Sequence, residues 1–223
     1  ATSFETAGAV IDSTGVEAML HWPEIHYLAE MMNYPGVLFK DEEVMKKLAA
    51  AKRIDKPIDG HAPGLRGEQA KRYAAAGITT DHECFTLEEA LDKLACGMKI
   101  LIREGSAAKN YEALHSLLAT HPEEVMFCSD DKHPDDLLLG HVDELVRRSL
   151  QRGYELFAVL RAACLHPVKH YNMQVGTLQI GDFADFIIVN NLEEFQVSST
   201  FINGEEIVQA GSCNLGDEAH PHI

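Results

Sequence analysis

Four side chains able to bind a divalent cation each close a short apolar run: Glu30 after residues 25–29, His61 after 57–60, His82 after 78–81 and Asp130 after 125–129. Imidazole and carboxylate are donors that divalent metals accept, and a cation held by them makes water acidic enough to act as a nucleophile near neutral pH. The chemistry these residues imply is metal-assisted hydrolysis. Ligands so far apart in sequence must be gathered by the fold, and a β/α barrel does this by presenting the carboxyl ends of successive strands at one mouth.

Each position carries its own local argument. Side chains alternate along a strand, so in Asp59-Gly60-His61 the acid and the imidazole share one side, which makes Asp59 a candidate partner for the His61 ring. Ala62-Pro63-Gly64 then turns the chain away. In Thr80-Asp81-His82-Glu83 a second imidazole closes the next strand, about 4.8 Å from the first, which is close enough to share a metal. Alternation turns Glu83 the other way unless the strand has already ended.

Phe127-Cys128-Ser129-Asp130-Asp131 sets two acids where a strand meets its loop, and alternation does not choose between Asp130 and Asp131. A carboxylate there can bind metal and take a proton from water. Glu30, one βα unit before His61, is placed to bridge two cations. Arg103-Glu104-Gly105-Ser106-Ala107-Ala108-Lys109 also closes a strand and is a candidate substrate loop, without phosphate-loop spacing. His133, His141, His166 and His170 are read as surface or packing residues.

The elements that must position these groups follow from the apolar pattern. Strands are expected at 25–30, 56–61, 77–82, 98–103 and 124–130, and helices at 41–52, 66–76, 86–96, 109–119, 135–151 and 154–165. Asp41, Thr86 and Asp135 read as helix starts and Gly97 as a stop. The βα alternation gives an α/β fold, a partial TIM-type (β/α)8 barrel of a metal-dependent hydrolase occupying residues 1–172. A small β-rich segment of short antiparallel strands is expected over 173–212, and 213–223 reads as a polar tail, with His220-Pro221-His222 in a frayed terminus. Five strands leave two barrel edges exposed, which favours a homo-oligomer or association with missing segments.

With 46% hydrophobic and 24% charged residues the chain has an ordinary globular composition, and no apolar run is long enough to span a bilayer. A formal net charge of -16 argues against nucleic acid as a partner and favours a neutral or cationic small molecule. The five cysteines form no CxxC pair and suit a reducing compartment, and no secretory segment opens the chain, so a cytoplasmic setting is expected.

Taken in order, Ala1 through Ala9, Ala29-Glu30-Met31-Met32-Asn33-Tyr34-Pro35-Gly36, Asp59-Gly60-His61-Ala62-Pro63-Gly64, Thr80-Asp81-His82-Glu83, Arg103 through Asn110, Ser129 through Leu137, and Gly176 through Asp185 resemble the adenine deaminase family of the amidohydrolase superfamily. The resemblance spans nearly the whole chain. It implies a β/α barrel, a binuclear centre of manganese, iron or zinc, and hydrolysis of a small-molecule purine base, adenine, to hypoxanthine and ammonia in purine salvage. By position it implies Glu30 as the carboxylate bridging the metals, His61 and His82 as ligands, and Asp130 as a ligand that also moves protons. Glu83 and Glu104 are its candidate acids for the leaving amine, and Arg103, Ser106 and Asp131 its candidate substrate contacts.

Family members precede this region with a His-x-His strand, which does not occur here before Glu30, and continue into a further domain. The chain is therefore expected to be the central part of such an enzyme, with weak or single metal occupancy alone. Two other readings are a deaminase or cyclic amidase acting on another ring, and a non-catalytic self-associating fragment.

Overall fold

The structure, a computed structural model, describes residues 6–215. Residues 1–5 of the first matching stretch and His220-Pro221-His222 lie outside the described residues.

Five parallel strands alternate with helices: β1 (Leu28–Met31), β2 (Ile58–Gly60), β3 (Thr80–Asp81), β4 (Lys99–Arg103) and β5 (Val125–Cys128). β1 pairs with β2 through Leu28 opposite Ile58, and β3-β4-β5 form a second ladder with Asp81 opposite Ile100 and Arg103 opposite Cys128. The two ladders are joined by the Thr79 amide donating to the Ile58 carbonyl at 2.9 Å. All five carboxyl ends thus point the same way, and each delivers one of the residues singled out above. Parallel strands alternating with helices give the α/β architecture of a partial β/α barrel, as the sequence implies.

Burial explains the sheet. Ile100, Leu101 and Ile102 of β4 are all buried, the signature of a parallel strand covered on both faces. Helix Glu42–Arg53 is capped by Asp41, which accepts from the Val44 amide, and helix Leu87–Leu94 by Thr86, which accepts from Glu89. One core cluster packs Leu48, Ile58, Tyr73 and Ile78 around β2; another packs Ile100, Ile102, Leu114, Val125 and Leu145 around β4 and β5.

Several boundaries differ from expectation. The helix anticipated over 135–151 breaks into Pro134–Leu137 and Val142–Gln151 at Gly140, whose φ of 153° no side-chain-bearing residue adopts readily. The one over 154–165 runs on as helix Leu156–Leu160, a π-turn Arg161–Leu165 and helix His166–His170, because Pro167 lacks the amide an α-helix needs there. The one over 109–119 divides into Tyr111–Leu114 and Leu117–Thr120. Helices Ser13–Leu20 and Tyr34–Leu38 were not anticipated, although Asp12 and Asn33 cap them.

Beyond the last helix, β6 (Phe186–Val189), β7 (Val197–Ile202), β8 (Glu205–Gln209) and β9 (Ser212–Cys213) form an antiparallel sheet in sequence order. Asn203 and Gly204, with φ of 53° and 83°, make the tight turn between β7 and β8. Among the described residues no helix is long and apolar enough to cross a membrane.

Candidate metal centre

β1 and β2 bring Glu30 and His61 to the same mouth, where the loop after β3 brings His82. Glu30 Oε1 lies 3.1 Å from His61 Nδ1 and Oε2 lies 3.1 Å from His82 Nε2, while the two ring nitrogens are 3.3 Å apart. Donors bound to one cation at about 2.1 Å stand about 3.0–3.4 Å from each other, so these three atoms already have the spacing of a coordination edge. Neutral imidazole plus carboxylate is a donor set that fits a divalent metal. The residues present therefore fit the group.

A second set shares His82. Its Nε2 is 3.5 Å from Asp130 Oδ2 and 3.8 Å from Glu83 Oε1, and ligand atoms of all three residues lie within 4.8 Å of one another. Glu83 enters the site because β3 ends at Asp81, whose Oδ1 accepts the Glu83 amide at 2.7 Å, so strand alternation no longer governs it. Asp130 sits at φ 50°, a left-handed conformation that aspartate tolerates, and this aims its carboxylate at His82. Arg103 completes the group: its guanidinium donates to Glu83 Oε1 at 2.7 Å and is in close contact with Asp130.

The charges are mutually adjusted. Burial alone would raise the Glu30 carboxyl, but hydrogen bonds to His61 and His82, with their charge, hold it well below the usual carboxylate range. Burial would lower His82, yet the bond and charge of Glu30, with Asp81 and Glu83 nearby, raise it above the ordinary histidine value. Cys128, pushed up to about 12 mainly by burial, stays a thiol beside the site.

The other anticipated groups are placed differently. Asp59 accepts from Thr80 Oγ1 at 2.7 Å and from Tyr171 Oη at 2.9 and 3.0 Å, and His61 is not among its hydrogen-bond partners. The alternation argument fails because Asp59 lies deeper in the sheet, where Tyr171 meets it. Glu104 is held by Arg148 Nη1 at 2.6 Å and accepts the Tyr111 amide, so its carboxylate is engaged away from both donor sets. Ser106 donates to Asp136 at 2.5 Å and accepts the His133 amide, tying two loops together. Asp131 packs on Gly105, where a Cβ would come within 2.1 Å of its Oδ1.

Three supports had no signal in ligand spacing. Tyr73 donates to the Met31 carbonyl at 2.6 Å and accepts the His61 amide at 3.1 Å, fixing β1 to β2. Asn110 accepts the Arg103 amide and donates to the His82 and Cys84 carbonyls. Tyr171 belongs to the helix end that faces Asp59. A cavity of about 220 Å³ opens beside the centre, lined by Tyr27, Glu30, Asp59, His82, Asp130 and Tyr171 among others.

Parallel strands delivering histidine and carboxylate to one mouth define a metal-dependent hydrolase class, and the sequence model of the amidohydrolase family matches residues 21–207; the chain belongs to that family. Among curated proteins it is 54% identical over 217 residues to a protein of Sulfurovum sp. (strain NBC37-1) named adenine deaminase, covering 97% of this chain and 40% of that protein. It is 53% identical to one of the same name from Salinibacter ruber, covering 96% of this chain and 39% of that protein. The chain thus spans about 40% of the length of the curated relatives it matches. Solved structures similar in fold include a β-aspartyl dipeptidase of Fervidobacterium islandicum AW-1, with TM-score 0.61, 18% identity and coverage of 79% of this chain and 55% of that one. Another is N-acetyl-D-glucosamine-6-phosphate deacetylase of Mycobacterium smegmatis, with TM-score 0.57, 14% identity and coverage of 75% and 52%.

Proposed function

We propose that this chain carries the metal-binding catalytic segment of an adenine deaminase, which hydrolyses adenine to hypoxanthine and ammonia. The observation that carries the reading is Glu30 standing between His61 and His82, in a chain about half identical along nearly its whole length to relatives of that name. Glu30, His61 and His82 would hold one divalent cation, and His82 with Asp130 would contribute to a second in the complete site, Glu83 standing beside them for proton transfer. Manganese, iron and zinc all accept this donor set. When bound, the metal supplies a water acidic enough to attack at neutral pH.

The chain's own residues supply the rest. Asp130 accepts a proton of the attacking water, and Glu83 relays a proton to the amine at C6 of the purine as the C6–N bond breaks, so that the water supplies the hydrogen with which ammonia leaves. Arg103, paired with both acids, fixes their relative orientation, and Arg103 and Asp131 are the residues assigned to contact the base. Ser106 acts through the loop it holds. A small purine rather than nucleic acid suits the net charge of -16, and unpaired cysteines suit a cytoplasmic setting in purine salvage. The outer edges of β1 and β5 are where a second copy or further chain would pair.

Ammonia release with adenine, hydantoin and cytosine, each with added manganese or iron, tests this reading. Release from adenine alone supports it, and release from another ring in preference to adenine overturns the substrate assignment.

A further inference from the structure

Lys93 lies in helix Leu87–Leu94, is fully buried, and belongs to neither donor set. Its ammonium has three oxygen partners: Nζ donates to the Ala62 carbonyl at 2.7 Å and to Glu89 Oε1 at 2.8 Å, and forms an ion pair with Asp81 Oδ2 at 3.2 Å. Its two acidic partners are buried as well. Asp81 accepts the Ala62 amide at 2.9 Å and the Glu83 amide at 2.7 Å, and Glu89 accepts the Gly64 amide at 2.8 Å and the Phe85 amide at 3.2 Å.

These bonds have one pattern. Every backbone group they engage lies in the two strand exits that carry His61 and His82. Ala62, next to His61, is held at both its amide and its carbonyl. Asp81 and Glu83 flank His82. A lysine whose charge must be desolvated is a costly way to fill this space, since methionine or leucine would pack a helix face without that penalty. The two acceptors it hydrogen-bonds and the carboxylate it pairs with are what an apolar side chain would leave unfixed.

We propose that Lys93 is a positioning residue for the metal centre: with Asp81 and Glu89 it locks the exits of β2 and β3 together and so sets the separation of the two imidazoles. This rests on the metal-centre reading above. Removal of Lys93 leaves every ligand in place but loosens the frame between them, and loss of a partner behind a ligand lowers metal affinity by about 10–100-fold.

The test compares wild type, Lys93→Met and Leu145→Ala, a core variant outside the network, by amide hydrogen exchange and manganese titration. The Ala62 and Glu83 amides are the reporters, because their acceptor Asp81 is unchanged in every protein. The expected result for Lys93→Met is exchange at both amides rising beyond that in Leu145→Ala, with manganese bound about 10–100-fold more weakly while Leu145→Ala keeps wild-type affinity. If Lys93→Met does not fold, Lys93→Met/Glu89→Leu, which removes the ammonium with a buried partner, takes its place. Exchange at Ala62 and Glu83 matching that in Leu145→Ala overturns the inference whether or not metal binds. Failure of wild type to bind manganese overturns instead the metal-centre reading.

Discussion

His61 Nδ1 stands 3.3 Å from His82 Nε2, and one carboxylate, that of Glu30, reaches both. His82 belongs to both donor sets and His61 to one. His82→Ala should therefore weaken manganese binding more than His61→Ala. Isothermal titration of the two variants checks the order, and a larger loss from His61→Ala would place the cation away from Asp130.

Arg103 is a fixed cation beside the acids the metal would use. Replacing it with glutamine leaves Glu83 and Asp130 facing each other unneutralised, which should destabilise the metal-free chain by about 1–3 kcal/mol. The same change removes a competing positive charge. Manganese should then raise the melting temperature of Arg103→Gln more than that of wild type, which differential scanning fluorimetry would read directly.

The two glutamates expected from sequence to serve as acids separate by location. Glu83→Gln should cut ammonia release by about 10²–10⁴-fold, the usual worth of a positioned acid or base. Glu104→Gln breaks the pair with Arg148 and should lower the melting temperature while leaving turnover largely intact. Equal losses of turnover would return Glu104 to the site.

Gly60 lies between Asp59 and His61, where a Cβ would fall 2.3 Å from the Thr80 carbonyl oxygen and 2.7 Å from Ile78 Cγ2. Backbone cannot yield as a flexible side chain can. Gly60→Ala should cost about 1–3 kcal/mol, measured by urea unfolding, because β2 and β3 must separate to admit the methyl group.

His170 carries a pH signature. Burial, helped by the charge of Lys99, lowers it from 6.5 to about 4, so it is neutral in the fold while the unfolded chain takes up a proton below 6.5. Stability is therefore lost as pH falls from about 6.5 towards 4. Because the ring is only partly buried, about 1 kcal/mol is expected between pH 7 and pH 5. His170→Gln should flatten that part of the stability profile, and an unchanged profile would assign the loss to other groups.

The five strands and the gathering of Glu30, His61, His82 and Asp130 at their ends were legible because apolar runs, each closed by one donor side chain, survive translation into a parallel sheet. What pattern alone missed depends on long-range contact. Glu83 turns inward only because Asp81 ends β3 by capping its amide, and Asp59 is claimed by Tyr171, 112 residues away. The breaks at Gly140 and Pro167 were written in the sequence as glycine and proline, but amphipathic periodicity on both sides concealed them. Tyr73, Asn110 and Lys93 have no recognisable spacing at all, since their roles lie in backbone groups of other elements.

Equilibrium dialysis against manganese, with elemental analysis of wild type and Glu30→Gln, tests the central claim most directly. The geometry predicts manganese retained by wild type and largely lost from Glu30→Gln, whose neutral amide cannot serve both imidazole-bound positions. Manganese held equally by the two proteins would contradict a centre built on Glu30, His61 and His82.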